Sequence, residues 1–415
     1  METDLKTLRP LIDKCVMCGG CHPDCPTYKL TRYEHDSARG KVVLAGALLD
    51  GSLSPTKELS ATFNHCLSCM ACTSACPAGA DPARVIVSAR GELFKKYGGY
   101  FEKFLFRKML TSRPAMPFLA AFFNLTAFMA RLFPRLPFLS KFSSEGKQKV
   151  FPDFSVKNLK GRFPEKTPAK GNTELKVAYF VGCMADWAFQ SSGAGVINAL
   201  SSVGAEVTLV KDEVCCGAPA YFAGDLDAAK ISAEKNAGAF AGRGFDYIVT
   251  SCATCGSMLR DVYPALLGKT AGEEFAAKVT DFQKLYADRM PSKPVPADGK
   301  EKKVRVTYHD PCHLSRGMKI TAEPRRILSS LPGVEFVEMA DASACCGGAG
   351  AFNAKNYAES VAMGEKKGRN IQASGAQIVV TECPSCQMQL MDLTARFSPG
   401  VEVLQMSELI ARVRR

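Results

Sequence analysis

The spacing of the cysteines constrains this chain more than any other feature of its sequence. Two runs, at residues 15–26 and 66–77, share the pattern C-x2-C-x2-C-x3-C-P, and each cysteine of the first run has a counterpart 51 positions later. The tetrapeptide Ser-Ala-Arg-Gly recurs at the same distance, which puts Arg39 and Arg90 in equivalent positions. The duplicated unit therefore extends beyond the cysteines, and we expect the two arginines to close each helical repeat against its cysteine loop.

This spacing is typical of two-cluster ferredoxins, in which three closely spaced thiolates hold three corners of a cubane and the fourth cysteine crosses to the other cluster. It predicts two [4Fe-4S] clusters with the ligand sets Cys15, Cys18, Cys21, Cys76 and Cys66, Cys69, Cys72, Cys25. A zinc site is the alternative, but zinc needs only four ligands in a closed tetrahedron, and each run also has the proline typical of cubane motifs.

The stretch between the two runs predicts helices. Residues 42–49, Val-Val-Leu-Ala-Gly-Ala-Leu-Leu, are too rich in Ala and Leu and too long for a hairpin strand. The first domain is thus expected to be mostly helical, unlike small bacterial ferredoxins. It resembles the helical ferredoxin module in the iron–sulfur subunit of succinate dehydrogenases and in heterodisulfide reductases.

The other ten cysteines form two further sets, separated by near-constant offsets of 129 to 131 residues. The sets are Cys183, Cys215, Cys216, Cys252, Cys255 and Cys312, Cys345, Cys346, Cys383, Cys386. Adjacent Cα atoms lie ~3.8 Å apart, closer than the ~4.4 Å at which ordinary disulfides begin, so each Cys-Cys pair suggests two thiolates at one metal centre.

In each copy the cysteines follow predicted strands that alternate with predicted helices. Strands are expected at 177–183, 206–210 and 247–250, and again at 304–312, 334–337 and 378–381. Because functional loops gather at the ends of strands in α/β sheets, each copy is expected to present five thiolates from three loops.

These motifs resemble the paired cysteine-rich CCG domains of heterodisulfide reductases and of the iron–sulfur subunits of glycolate oxidase, lactate-utilisation and anaerobic glycerol-3-phosphate dehydrogenase systems. The domain order is most similar to the glycolate oxidase iron–sulfur subunit and the D-type heterodisulfide reductase subunit. The resemblance implies that each set of five holds a noncubane [4Fe-4S] cluster, with zinc on four of the five thiolates as the alternative.

The expected fold class is α/β with an all-α N-terminal part: a helical two-cluster ferredoxin domain followed by two duplicated α/β CCG domains. The expected domains are 1–100, the ferredoxin domain; 101–173, basic amphipathic helices and a linker; 174–296, the first CCG domain; and 297–415, the second.

Composition suits a reducing compartment. With 415 residues, of which 47% are apolar, the chain can bury a sizeable core without disulfides. Its start, Met-Glu-Thr-Asp-Leu-Lys, lacks the basic and apolar regions of a signal peptide, and no run of about 18 apolar residues predicts a transmembrane helix. We expect a cytoplasmic protein, with peripheral contact to the inner face of the cytoplasmic membrane as an open alternative.

The net charge of +12 is concentrated in one segment. Residues 101–170 contain 14 Lys and Arg against 4 Asp and Glu. Within it, 101–110 and 117–133 are rich in Phe and predict a pair of basic amphipathic helices, while 143–173 predict a linker. Such a segment suits a membrane surface or a partner protein better than nucleic acid, so packing, partner contact and peripheral membrane contact through 101–142 all stay open.

No G-x-G-x-x-G motif opens a βα unit and no Walker motif is present, so we expect no flavin or nucleotide on this chain. The resemblance implies an electron-transfer subunit of a flavin-dependent 2-hydroxyacid (glycolate or lactate) dehydrogenase, carrying electrons from an FAD-containing subunit to a quinone or another acceptor. One alternative is a D-type heterodisulfide reductase subunit that reduces a disulfide beside a cytochrome b partner. The other is a membrane-docking electron carrier like the C-type subunit of anaerobic glycerol-3-phosphate dehydrogenase.

The two CCG copies differ around their leading cysteines. The second reads His309-Asp310-Pro311-Cys312-His313, whereas the first reads Phe180-Val181-Gly182-Cys183-Met184. Because histidine exchanges protons near neutral pH, we interpret the second centre as facing the terminal acceptor, with His309 and His313 as catalytic proton carriers. In the alternative they orient loops or donate hydrogen bonds to cluster sulfurs.

Other candidates near the cysteines are assigned structural roles. Asp186 and Trp187 beside Cys183 are interpreted as capping and packing residues. His22, His35 and His65 are interpreted as surface histidines, although His65 next to Cys66 could tune a cluster potential.

Overall fold

The computed structural model describes residues 5–133, 143–144, 147–155, 157–290 and 303–414. The α-helices are α1 (Arg9–Asp13), α2 (Pro26–Thr31), α3 (Ala38–Leu49), α4 (Lys57–Asn64), α5 (Ala71–Ser74), α6 (Pro82–Tyr97), α7 (Tyr100–Phe104), α8 (Met116–Leu132), α9 (Gly182–Trp187), α10 (Gln190–Ser201), α11 (Ala218–Ala223), α12 (Leu226–Phe240), α13 (Ala253–Ser257), α14 (Tyr263–Leu267), α15 (Lys269–Ala277), α16 (Phe282–Arg289), α17 (Ala322–Ser330), α18 (Gly350–Lys355), α19 (Tyr357–Ala373), α20 (Pro384–Phe397) and α21 (Met406–Val413).

The strands are β1 (Ser143–Ser144), β2 (Lys147–Gln148), β3 (Lys166–Thr167), β4 (Leu175–Phe180), β5 (Ala205–Leu209), β6 (Tyr247–Thr250), β7 (Val279–Asp281), β8 (Val304–Tyr308), β9 (Val334–Phe336), β10 (Ile378–Thr381) and β11 (Glu402–Gln405). Short 3-10 helices span Leu5–Leu8, His22–Asp24, Glu34–Asp36, Arg113–Ala115 and Leu159–Gly161. Single π-helical turns span Leu105–Met109, Met258–Val262 and His313–Met318.

The first domain is helical, as predicted. Helix α3 begins after Ser37, whose hydroxyl accepts a hydrogen bond from the amide of Gly40, and α6 begins after Asp81, whose carboxylate accepts from the amide of Arg84. Such caps satisfy amides that the first helical turn leaves unpaired. Both helices pack around one apolar core, so the two halves of the repeat form a single body.

The duplication of the CCG copies is reproduced in the sheet topology. Four parallel strands lie in the order β5-β4-β6-β7 in the first copy and β9-β8-β10-β11 in the second. Strands β4 and β10 are almost wholly buried, which suits parallel sheets covered by helices on both faces. The predicted domain order, an all-α part followed by two α/β CCG domains, is therefore confirmed.

The segment expected as a linker is part of the first sheet. Strand β3 pairs antiparallel with β5 and adds a fifth strand at its edge. Leu159 and Lys160, just before it, are both buried. The expectation of a linker over 143–173 is thus wrong for residues 159–167. Leu159 packs into the apolar core, although the Lys, Pro, Gly and Ser content of the segment predicted a solvated linker.

The two CCG copies share one core. Val177 and Tyr179 of the first sheet belong to the same buried cluster as Val306 and Tyr308 of the second. At the seam, α10 packs on α21, where the hydroxyl of Ser407 donates to the carbonyl of Ser192 over 2.9 Å. The copies are therefore halves of one globular unit.

The segment after the first domain forms the predicted helix pair. In the first helical stretch Phe106 is buried in the core of the first CCG copy, and Arg107 pairs with the buried carboxylate of Asp225 over 2.8 Å. Part of the basic segment thus packs against its neighbour. Within the described ranges, no helix has both the length and the apolar character needed to cross a bilayer.

The seam between the copies generates a stability prediction. A Cβ on Gly195 of α10 would lie 2.6 Å from the carbonyl oxygen of Ser407, whereas a Cβ on Gly238 of α12 would meet no atom within 4 Å. We expect Gly195→Ala to lower the free energy of unfolding by about 2 to 3 kcal/mol because the helices must separate. Gly238→Ala should raise it by about 0.5 to 1 kcal/mol, since alanine favours helix.

Urea unfolding followed by far-UV circular dichroism measures both changes. Equal shifts of the two unfolding midpoints would contradict the close packing of α10 on α21.

Candidate metal centres

The first ferredoxin-type set converges on one cavity. Cys15, Cys18, Cys21 and Cys76 all line it, although Cys76 lies some fifty positions beyond the others in the chain. The cavity thus holds the four thiols of the crossed set predicted from the spacing. Cys72 of the other set also lines it, so the two sets are neighbours.

The second set lies deeper. Cys25 and Cys69 are buried, and Cys25 is close enough to Cys66 and Cys69 for their charges to raise its pKa beyond the effect of burial. Burial also raises the pKa of Cys72. A bound metal offsets the penalty of ionising such thiols, and no disulfide forms among them, so this donor set fits an iron–sulfur cluster.

The two cysteine loops have the same backbone shape. Met17 and Gly19 have positive φ angles of 59° and 79°, and their counterparts Ser68 and Met70 have 53° and 60°. These left-handed residues turn the chain so that successive thiols point inward. The amide of Ser68 donates to the Cys66 sulfur over 3.4 Å, a contact of the kind that tunes cluster potentials.

Arg39 and Arg90 close the loops, as expected. The Arg39 guanidinium donates to the carbonyl of Met17 over 2.8 Å. Arg90 is buried and donates to the carbonyl of Cys66 and the hydroxyl of Ser68, over 2.6 and 2.9 Å. It also donates to the carbonyl of Phe222 in the first CCG copy over 2.7 Å, which fixes the ferredoxin domain to it.

The first CCG set gathers at the carboxyl ends of β4, β5 and β6. The sulfurs of Cys216 and Cys255 lie 3.3 Å apart, and the thiols of Cys183 and Cys215 are within hydrogen-bond contact. Gly217 has a φ of 84°, and a Cβ there would lie 3.0 Å from the side chain of Ser232. The third residue of the CCG motif must therefore be glycine for the two preceding thiols to reach the centre.

The second CCG set repeats this arrangement at β8, β9 and β10. The thiol of Cys386 contacts those of Cys346 and Cys383. Gly347 has a φ of 82°, and a Cβ there would lie 2.5 Å from the carbonyl oxygen of Ser360. Each set offers five thiols, one more than a closed zinc tetrahedron needs, so the donor chemistry fits a cluster better than zinc.

The sets touch one another in series. The Cys69 thiol of the second ferredoxin-type set is in hydrogen-bond contact with Cys345 of the second CCG set. Cys383 of that set contacts Cys252 of the first CCG set. The hydroxyl of Thr254 lies 3.4 Å from the Cys383 sulfur at the same junction.

His309 lies at the second CCG set. Its imidazole is 1% exposed, and its ligand atoms and those of Cys346 and Cys386 lie within 4.8 Å of one another. Among the described residues neither ring nitrogen contacts an N–H, O–H or carbonyl group, and the hydrogen-bond contact of the imidazole is with the Cys346 thiol. The equivalent position of the first copy is Phe180, so this imidazole distinguishes the two centres.

His313 instead joins three domains. Its Nε2 donates to the carbonyl of Ser68 over 3.1 Å, and its Nδ1 lies 3.2 Å from the hydroxyl of Thr254. Its ring stacks on Phe222 with centroids 5.1 Å apart, and burial lowers its pKa. Both nitrogens are thus occupied in the interface, which favours the loop-orienting alternative over a proton carrier.

The remaining sequence candidates have structural partners. Asp310 accepts two hydrogen bonds from the Arg325 guanidinium, over 2.9 and 2.8 Å. His65 is not a free surface histidine: it bridges buried Asp36, 2.6 Å away, and Glu359 of the second CCG copy. The other two histidines contact aromatic rings nearby in the chain: the His22 ring packs at a tilt against Tyr28, and His35 stacks on Tyr33.

Sequence reasoning missed several charged residues near the thiols. Lys160 is buried between Asp186 and Glu213, with Nζ–carboxylate distances of 3.7 and 3.6 Å. Lys367 is buried beside the second CCG set, and burial lowers its pKa to about 8. Lys160 lay in the expected linker and Lys367 in an ordinary helical pattern, so neither carried a local signal.

Two family models match the parts of the chain that contain the four cysteine sets. A "4Fe-4S dicluster domain" matches residues 11–80, and a "Cysteine-rich domain" (CCG) matches residues 177–260 and 306–391.

Several curated proteins are similar to the chain. It is 29% identical over 398 residues to the "Probable glycolate oxidase iron-sulfur subunit" of Bacillus subtilis, covering 91% of this chain and 87% of the relative. It is 26% identical over 422 residues to the D-type subunit of the "Dihydromethanophenazine:CoB--CoM heterodisulfide reductase" of Methanosarcina barkeri, covering 96% and 93%. It is 36% identical over 243 residues to the B-type subunit of the "Fumarate reductase (CoM/CoB)" of Methanothermobacter marburgensis, covering 58% of this chain but only 46% of that relative.

The position of His309 generates a prediction about the second CCG centre. An N–H donor next to thiolate sulfurs stabilises the more negative reduced state and raises the reduction potential. Replacing it as in His309→Phe, the residue type of the first copy, should lower the potential of this one-electron centre by about 65 to 130 mV, which corresponds to the ~1.5 to 3 kcal/mol of one hydrogen bond to a charged group. EPR-monitored redox titration of the anaerobic protein measures the shift.

His35→Phe is the matched control. It makes the same replacement at a histidine that is 55% exposed and lies in the ferredoxin domain, so the potential of the second CCG centre should stay unchanged. An unchanged potential in His309→Phe would remove this role.

Proposed function

The chain carries a 4Fe-4S dicluster domain followed by two cysteine-rich CCG domains, and from this architecture we propose that it is the iron–sulfur electron-transfer subunit of a flavin-dependent 2-hydroxyacid dehydrogenase acting on glycolate or lactate. The relatives reported above are subunits of oxidoreductases, and the similarity to the glycolate oxidase iron–sulfur subunit extends over nearly the whole of both chains. Glycolate is carried over from the name of that relative, and lactate is the other 2-hydroxyacid that the family resemblance implies.

The observation that carries the proposal is the unbroken series of thiol sets. The first ferredoxin-type set adjoins the second through Cys72, the second meets the second CCG set through Cys69 and Cys345, and that set meets the first CCG set through Cys383 and Cys252. Iron–sulfur clusters held by these thiols supply one-electron transfer. Neighbouring sets with no intervening domain are what a relay through one chain requires.

The first ferredoxin-type set is the proposed entry. Cys18 is exposed, and beside it Val16 and Met17 are 67% and 45% exposed. Apolar side chains around an accessible redox centre suit contact with a protein partner. We assign this surface to an FAD-containing subunit, which oxidises the hydroxyacid.

The first CCG set is the proposed exit, which reverses the direction inferred from the histidines. The ferredoxin domain and the first copy cover the second set, and His313 is fixed in that interface. The first set instead borders a cavity of about 320 Å³ that Cys183 and Cys215 line. The terminal acceptor is therefore assigned to the first set and not to the one flanked by His309.

Helix α8 supports peripheral membrane contact. Phe118, Phe122, Leu125 and Phe128 are 74%, 54%, 59% and 55% exposed, so packing against the neighbouring domain does not account for this face. The exposed cation of Lys108 lies on the preceding turn, within the segment that carries most of the surplus positive charge. An apolar helical face next to basic residues suits the surface of an anionic bilayer, at the inner face of the cytoplasmic membrane.

The relay is tested by interrupting it. In the anaerobically purified complex with its flavoprotein partner, Cys25→Ser should stop substrate electrons from reaching both CCG centres, because it removes a ligand from the set between entry and exit. The first ferredoxin-type centre should still be reduced. Stopped-flow absorbance with EPR of freeze-quenched samples distinguishes the centres.

Cys183→Ser is the matched control. It removes a ligand from the first CCG set at the exit of the relay, so the other three centres should still be reduced. Reduction of the CCG centres at an unchanged rate in Cys25→Ser would overturn the relay order. Iron and acid-labile sulfide near eight per chain, instead of the about sixteen expected for four [4Fe-4S] clusters, would overturn the four-centre proposal.

Membrane contact is tested by flotation with anionic liposomes. The full chain should float, and the double variant Phe122→Glu/Phe128→Glu should bind at least tenfold more weakly, because burying each phenylalanine contributes about 1.5 to 3 kcal/mol. The control Tyr33→Glu/Val43→Glu adds the same charge at exposed apolar sites in the first domain. Failure of the unmodified chain to float would assign the α8 face to a protein partner.

A further inference from the structure

The cavity beside the first CCG set has the features of a small-molecule site. Its volume of about 320 Å³ lies within the usual range for ligand pockets. Cys183 and Cys215 reach it from the cysteine set, and Trp187, the only tryptophan of the chain, also lines it. A ligand there would lie directly against the thiols of this centre.

Part of the cavity wall is charged and firmly held. Lys160 is 8% exposed, and its ammonium group lies between the carboxylates of Asp186 and Glu213. Glu213 also accepts hydrogen bonds from the amides of Val181 and Gly182, over 3.1 and 2.8 Å. These groups satisfy one another, so they shape the wall and leave little free charge.

Arg113 is the exception among the charged lining residues. Within the described ranges, no ion pair or hydrogen bond involves its guanidinium, and this half-buried residue lines the cavity. The four ionic side chains of the lining, Arg113, Lys160, Asp186 and Glu213, carry two positive and two negative charges. A neutral ligand with a hydrogen-bond acceptor suits this balance better than an anion, which would need more unpaired cations.

The start of the apolar helix α8 forms part of the cavity wall. Exposed Pro114 and Pro117 border the cavity together with Met116, and Met116 is the first residue of α8. The same helix carries the exposed phenylalanine face. The cavity is therefore adjacent to the helix that we assign to the membrane surface.

We propose that this cavity binds the head group of a membrane quinone, the terminal electron acceptor, with Arg113 donating a hydrogen bond to one of its carbonyl oxygens. This inference rests on the proposed electron-transfer function and deepens it. The quinone takes up two electrons, delivered singly by the relay from the hydroxyacid, and two protons from water at the cavity entrance, and becomes a hydroquinone. The hydroxyacid is oxidised to the 2-oxoacid, which balances the reaction.

Equilibrium dialysis of the oxidised full chain with decylubiquinone, a short-chain quinone, tests the site without turnover. Arg113→Leu is expected to raise the dissociation constant at least fivefold because the carbonyl loses its donor. Lys108→Leu, the control, removes a charge of the same segment outside the cavity and should change it by less than twofold. Equal effects of both would show that only the charge of the segment matters and would overturn the site.

A steric pair provides the second test. Met116→Trp should abolish binding by filling the cavity, whereas Phe122→Trp, on the exposed face of the same helix, should leave it unchanged. In the unmodified, partly reduced protein, a saturating non-reducible quinone analogue should alter the EPR signal of the first CCG centre alone. An altered signal of the second CCG centre, or a response to a dialkyl disulfide and not to the quinone, would overturn the assignment.

These outcomes separate the two proposals. If the flavoprotein reduces all four centres but the Arg113 and Met116 variants bind quinone normally, only the cavity assignment fails. If quinone binds as expected but substrate electrons never reach the first CCG centre, the relay fails instead.

Discussion

The loop at residues 66–70 is clamped by hydrogen bonds from two domains, and the order of the centres depends on this clamp. Arg90 of its own domain donates to the carbonyl of Cys66. From the second CCG copy, His313 donates to the carbonyl of Ser68 and Arg316 to that of Cys69, over 3.1 and 3.0 Å. Because these donors bind backbone carbonyls, they fix the loop and leave its thiols directed inward. The second ferredoxin-type set is thereby held against the second CCG set.

Buried cations recur around the thiols, and their placement has an electrostatic reason. Lys41, Arg90 and Lys367 are all 5% exposed or less, which is costly for isolated charges. The pKa of each is lowered by burial and raised in part by nearby cysteines. A site rich in thiolate and sulfide supplies the negative charge that makes such cations tolerable. The burial of these cations is thus explained by the negative charge of the iron–sulfur centres that the cysteines would hold.

The duplicated CCG copies acquire different roles through what packs on them. The second copy is covered by the ferredoxin domain, and its thiols become an internal connection. The first copy receives the segment around Arg113 and the turn at Lys160, and these build a cavity over Cys183. In the proposed function, the same fold with the same set of five thiols is a relay in the second copy and a site open to a ligand in the first.

Ligand spacing, strand patterns and repeat offsets are local or periodic signals, so the sequence is sufficient to predict the thiol sets and the fold class. The crossed grouping of Cys76 with the first run is one of these predictions, and Cys76 lines the same cavity as the three closely spaced cysteines of that run. Which sets are in contact, the place of His313 in an interface and the place of Lys160 in a cavity wall instead of a linker could be learned only from the folded structure. These depend on contacts between residues far apart in the chain, and packing between duplicated domains leaves no periodic trace in either copy.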